Sequence, residues 1–279
     1  MSPVGDLDVD TAVDARGDGR YRACLSSDWE IWGPNGGYVA SVALRAAAGA
    51  SAFDRPASFS CHYLSVARFG EVDVDVRVLR RARRAESLAV SLTQEGVPVL
   101  EALAWFVADG DGLVHDAAPM AAVAPPVDLA FLSELLPPDA PNPYRFWRNF
   151  ELKPLEWWPD PTERPAGGPM ARGWYRYAPT ATFEDPAVDA CRSLILLDTL
   201  SWPAATRAHP WGLPWMAPSL DVAVQFHRSD PASGWLLAEG VAPVAEEGLI
   251  GFRSSVWSEG GRLLASGSGQ LLCRPVPAS

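Results

Sequence analysis

Cysteine and histidine are scarce in this 279-residue chain, and both shortages narrow the chemistry open to it. The four cysteines, Cys24, Cys61, Cys191 and Cys273, lie far apart with no C-x-x-C pair among them. That argues against a zinc or dithiol redox centre and for reduced thiols in apolar surroundings. No G-x-S-x-G occurs, so a serine hydrolase built on a nucleophile elbow is not supported. His62 and His227 read as structural, His115 and His209 fall in loops, and no spacing of histidine with carboxylate suggests a metal. No cofactor is expected either. Basic charge is also short: Lys and Arg total 23 against 34 Asp and Glu, a net charge of -11. Such a chain lacks the basic face that nucleic-acid binding requires. No uncharged apolar run approaches the roughly 20 residues of a membrane helix. The opening "MSPVGDLDVDTAVDARGDGR" is acidic, without the apolar core of a signal peptide. The expectation is a cytoplasmic protein that engages neither nucleic acid nor membrane.

What is present is a globular composition, 48% hydrophobic and 20% charged, long enough to bury a full core. Val72, Val74, Val76 and Val78 alternate with Asp73, Asp75 and Arg77, the two-residue period of a strand with one buried face. Gly96 marks a turn between two further strand-like runs, 88–93 and 99–107. An apolar helical stretch, residues 37–48, precedes this antiparallel meander. The same order returns later: an apolar helical stretch at about 187–205, then strands from Pro218 onward, with "TQEG" at 93–96 echoed by "WSEG" at 257–260. An internal duplication follows. Between the repeats the chain is rich in proline and alanine, which excludes a long helix or a central strand. The reading is a first domain over residues 1–118, a linker over 119–145 with one short helix at 129–136, and a second domain over 146–279.

A helix apolar on nearly all sides must be covered all round, and a curved antiparallel sheet does this for a single helix. At this point "DWEIWGPNGGYVASVALRAA", "HYLSVARFGEVDVDVRVLRRARR" and "PSLDVAVQFHR" resemble the acyl-CoA thioesterase II-like family, the double hot-dog thioesterases. The resemblance spans nearly the whole chain apart from the linker and the N-terminal tail. It implies an α+β double hot-dog fold, two antiparallel sheets each wrapped around a central helix and able to pair edge to edge. It further implies an acyl-CoA substrate, and it leaves homo-oligomerisation open.

Asp198, inside "SLILLDTLSW", is the most informative residue, because a carboxylate among apolar neighbours either satisfies a structural partner or does chemistry. The resemblance matches Asp198 to the family aspartate that activates water. It matches Ser219, seven residues before "FHR", to a family threonine. The family glutamine falls on Gly269. The neighbouring Gln270 would face away in a regular strand, unless a bulge at Gly267 and Gly269 returned it. "PNGG" before the first helix has two readings. Asn35, Gly36 and Gly37 offer backbone N–H groups to a thioester carbonyl, or Pro34 and Asn35 start the helix while the glycines admit a neighbouring strand. The run Arg77, Arg80, Arg81, Arg83, Arg84 is a solvated turn or a site for coenzyme A phosphates, with Arg80 and Arg81 the candidates. Tryptophans crowd the second half as core, interface or the wall of an acyl tunnel. The leading reading is a thioesterase in which Asp198 takes the proton of the attacking water, Ser219 orients that water, with Gln270 if the bulge returns it, and the Asn35 to Gly37 amides hold the carbonyl oxygen. The alternatives are a noncatalytic acyl or polyketide binder and, with less support, a hot-dog dehydratase.

Overall fold

The structure, a computed structural model, describes residues 4–137 and 144–276. Its first half runs α1 (Leu7–Asp10), β1 (Asp14–Gly17), β2 (Arg20–Leu25), α2 (Gly36–Ala50), β3 (Arg55–Tyr63), β4 (Gly70–Arg81), β5 (Ala85–Gln94) and β6 (Val97–Val107). After α3 (Leu132–Leu135) the second half runs β7 (Phe150–Pro154), β8 (Met170–Tyr177), α4 (Pro186–Thr199), α5 (Ser201–Arg207), β9 (Trp215–Met216) and β10 (Ser219–Phe226). It ends with β11 (Leu236–Glu246), β12 (Leu249–Ser258), β13 (Leu263–Leu272) and β14 (Arg274–Pro275). Both expected helices and both meanders are present. In β4 the alternation buries Val72, Val74 and Val76, whereas Val78 is exposed near the far end of the strand. Glu95 and Gly96, with φ of 52° and 79°, form the tight turn between β5 and β6, the left-handed pair that matches strand twist.

The sheets of the two halves meet edge to edge. The halves contribute six strands each to one continuous 12-stranded sheet, ordered β1-β2-β4-β5-β6-β3-β10-β13-β12-β11-β8-β7. The join is β3 against β10, antiparallel, from Asp221 opposite His62 to Gln225 opposite Ser58. Two separate sheets would leave two rows of backbone N–H and C=O groups unpaired, and edge pairing satisfies both rows.

Helices α2 and α4 pack on the sheet and on each other. Every residue of α4 from Ala187 to Thr199 is buried, and α2 is buried over most of its length. Their contact is unusually close at Gly37, where a Cβ would lie 2.7 Å from Ile195 Cα and 3.1 Å from Ile195 O. Glycine there admits a neighbouring backbone, as one reading of the sequence held, though the neighbour is a helix and not a strand.

The segment expected to link the halves does more than connect them. Its residues 138–143 lie outside the described residues, but Met120, Val123, Leu129 and Phe131 pack on a separate apolar cluster of Trp174, Trp235, Leu237 and Trp257. Trp174 donates its indole N–H to Ala124 O (2.9 Å). Lys153, the chain's single lysine, donates to Pro126 O (2.6 Å) with its ammonium 4.2 Å from the Phe131 ring centroid. Among the described residues, no helix is long and apolar enough to cross a membrane.

The helix contact yields a stability prediction. Gly37→Ala forces a methyl against the α4 backbone and should destabilise the protein by about 1–3 kcal/mol, measured by denaturant unfolding.

Candidate active site

Where the start of α2 meets the end of α4, the structure holds a cavity of about 370 Å³. Apolar side chains including Val39, Val99, Trp147, Trp202 and Met216 form much of its wall, and Asn35, Gly36, Tyr63, Asp198, Thr199 and Ser219 bring polar groups to it. An apolar cleft with a few convergent polar groups is the usual form of a small-molecule site.

Asp198 is 5% exposed and sits one residue from the end of α4. Its Oδ2 accepts the Gly37 N–H (2.8 Å) and its Oδ1 accepts the Ser219 hydroxyl (2.7 Å). Burial pushes the carboxyl above the usual aspartate range, and the two hydrogen bonds oppose that rise by favouring the charged form. A buried acid with a raised pKa, hydrogen-bonded at both oxygens and facing a cavity, fits a group that takes a proton.

Ser219 reaches Asp198 because of an irregularity in its strand. Val222 and Val224 of β10 are buried on the helix side, so strict alternation would turn Ser219 outward. The β10 to β13 register instead shifts between Ser219 and Asp221, and Ser219 comes opposite the buried Leu271. The extra residue turns the hydroxyl inward.

The expected glutamine is not brought to the site. The bulge invoked for Gln270 occurs on β10, while β13 pairs regularly from Ala265 to Gln270 and leaves Gln270 exposed and outside the cavity wall. At Gly269 a Cβ would lie 2.2 Å from Asp221 O and 2.9 Å from Phe252 Cε1, so the matching position has no room for a side chain.

The "PNGG" residues reach the cavity with most of their groups already engaged. Asn35 caps α2 by accepting the Tyr38 N–H (3.0 Å), and its amide donates to Thr199 Oγ1 (3.3 Å). Gly37 N–H is held by Asp198. Arg80 and Arg81, the expected ligand candidates, lie outside the cavity wall: they end the 12-residue β4, and Arg81 pairs with Glu86. His62 is exposed, and His227 faces Ser266 Oγ (2.9 Å), also outside the cavity wall.

Among the cavity-lining residues that the sequence reading did not name are Tyr63, Thr199 and Arg274. A signal for Tyr63 existed, since Phe59 and Cys61 set the buried parity of β3 and Tyr63 continues it. Thr199 directly follows Asp198. Arg274 reaches the cavity from β14, which pairs with β9 beside it, a pairing with no local sequence signal.

Residues 25–107 match the acyl-CoA thioesterase N-terminal domain, and residues 126–272 match the acyl-CoA thioesterase C-terminal domain. No curated protein gives a significant match to the sequence. Among solved structures, a hot-dog-fold protein of unknown function from Alicyclobacillus acidocaldarius superposes with a TM-score of 0.80 at 20% identity, covering 98% of each chain. The acyl-CoA thioesterase II TesB2 of Mycobacterium marinum superposes with a TM-score of 0.77 at 20% identity, over 97% of this chain and 99% of its own. These two likenesses bear on the fold, and the domain matches bear on the family. On them the chain belongs to the acyl-CoA thioesterase II-like family of thioester hydrolases.

Proposed function

We propose that the cavity hydrolyses an acyl-CoA thioester with water as the nucleophile and Asp198 as the general base. The observation that carries this reading is the Asp198 carboxylate, buried at the cavity wall and oriented by Ser219 and the Gly37 N–H. As the water oxygen bonds to the thioester carbon, its proton passes to Asp198 and the carbonyl oxygen gains negative charge. Collapse of that intermediate breaks the C–S bond, and the proton on Asp198 leaves with the thiolate, giving free acid and CoA thiol. Ser219 holds the carboxylate in place. Gln270 has no part in this mechanism.

Two further assignments follow from the wall. The Gly36 N–H belongs to the first turn of α2, whose amides lack intrahelical partners, and it is the donor available to the carbonyl oxygen once Gly37 and Tyr38 are engaged. Arg274 is the only cation among the described residues that line the cavity. It replaces Arg80 and Arg81 as the group for the phosphates of CoA. The apolar wall takes the acyl group.

The primary experiment is free-thiol release from a panel of acyl-CoAs of increasing chain length, including aromatic ones. Asp198→Asn should lower kcat by at least ~100-fold while the protein stays folded. Retained turnover in that variant rejects Asp198 as the base.

Ser219→Ala tests the electrostatics. It removes one of the two bonds that hold the Asp198 pKa down, so the folded pKa rises further. The base must be ionised, so the acid limb of kcat/KM should move to higher pH. Arg274→Ala should raise KM for acyl-CoA several-fold with kcat preserved, and the difference from wild type should shrink at high salt.

A further inference from the structure

Oxyanion sites on backbone amides normally present two donors to one oxygen, and the start of α2 supplies too few. The first intrahelical bond of α2 is Val39 N–H to Asn35 O (3.0 Å), which leaves the N–H groups of Gly36, Gly37 and Tyr38 for other acceptors. Asp198 takes Gly37 (2.8 Å) and the Asn35 cap takes Tyr38 (3.0 Å). A single amide, that of Gly36, remains. Strand β13 offers no replacement, because Gln270 faces outward and the Phe252 ring closes the space at Gly269.

One side chain meets the requirement. The Tyr63 hydroxyl oxygen is buried, and among the described residues it makes no hydrogen bond of ordinary geometry, the Cys61 thiol on the same strand being a weak polar neighbour. A polar atom withdrawn from water and left unpaired is costly, and such atoms in native proteins call for an explanation. Tyr63 lies on the helix side of β3, at the strand's end, and its side chain lines the cavity. A Cβ placed on Gly36 would be 2.9 Å from Asp198 Oδ2, 3.2 Å from Tyr63 Cζ and 3.3 Å from the Tyr63 hydroxyl. The phenol and the carboxylate therefore flank the same bare stretch of backbone, the one that carries the remaining amide.

We propose that Tyr63 is a catalytic residue whose hydroxyl donates, beside the Gly36 N–H, to the carbonyl oxygen of the bound thioester. The inference rests on the hydrolytic reading of the cavity given above. Tyr63 transfers no proton: its O–H hydrogen bond strengthens as the carbonyl electron pair moves onto oxygen, and weakens again when the C–S bond breaks. Burial and the nearby Asp198 charge both hold the phenol well above its ordinary pKa, so it remains protonated, as a donor must. The absence of a side chain on Gly36 then has a purpose, because it lets the substrate oxygen approach between amide and phenol.

The test compares wild type, Tyr63→Phe and Asp198→Asn in steady-state hydrolysis of the acyl-CoA that wild type turns over best, with thermal unfolding of each protein. Tyr63→Phe should lower kcat by ~100-fold with KM little changed. Its unfolding temperature should match or exceed that of wild type, since the substitution removes a buried hydroxyl that makes no hydrogen bond of ordinary geometry. A structural role would give a different signature. Lost stability, or failure to fold, in Tyr63→Phe would overturn the proposal. Wild-type kcat in Tyr63→Phe, alongside an inactive Asp198→Asn, would overturn it while leaving the hydrolytic reading in place. Undiminished turnover in Asp198→Asn, or none by wild type across the panel, would overturn both.

Discussion

Contact between the start of α2 and the last turn of α4 is the constraint on which the rest of this structure depends. It requires two glycines in sequence, since a Cβ at Gly36 would meet the Asp198 carboxylate and one at Gly37 would meet the Ile195 backbone. With the helices that close, the Asp198 carboxylate takes the position at the positive end of α2 that a bound anion takes in other proteins. The helix start is thus used first for the protein's own acid. That use gives the buried charge one donor, the Gly37 N–H, to which the Ser219 hydroxyl of β10 adds a second, and it places the acid where the two halves of the chain meet.

A consequence is that the site belongs to neither half alone. Gly36 and Tyr63 come from the first half; Asp198, Ser219 and Arg274 come from the second. The β3 to β10 pairing brings Tyr63 and Ser219 to the same region of the sheet. The continuous 12-stranded sheet is therefore a condition for the site as well as for the core. The register shift in β10 acts at the smallest scale, because one additional residue decides whether the Ser219 hydroxyl faces the helices or the solvent.

The halves share a strand order but not their surroundings. On the second half, residues 120–131 of the connecting segment cover a tryptophan-rich cluster. In the first half, Leu103 and Trp105 of β6 remain 52% and 40% exposed. Five tryptophans of the second half fall into two groups: Trp174, Trp235 and Trp257 hold the covering segment, while Trp147 and Trp202 line the cavity.

Local pattern was enough for the elements. Period-two alternation at 72–76, the apolar runs of both helices and the glycine turns are properties of neighbouring residues, and they are legible without knowledge of the fold. Asp198 was legible too, because a carboxylate inside an apolar run conflicts with its surroundings wherever the run ends up. The relation of Gln270, Arg80 and Arg81 to the cavity was not legible, for the opposite reason. Their positions depend on strand parity, on where a bulge falls, and on which end of a long strand faces the cavity. Tyr63, with only its parity to mark it, and Arg274 escaped notice in the same way, since each is brought to Asp198 by pairing between segments far apart in the chain. By itself the sequence determined the helices, the strands, the repeat and the acid at the centre. Tertiary structure alone decided which donors surround that acid, because hydrogen-bond geometry is set by contacts across the chain, and local pattern does not encode it.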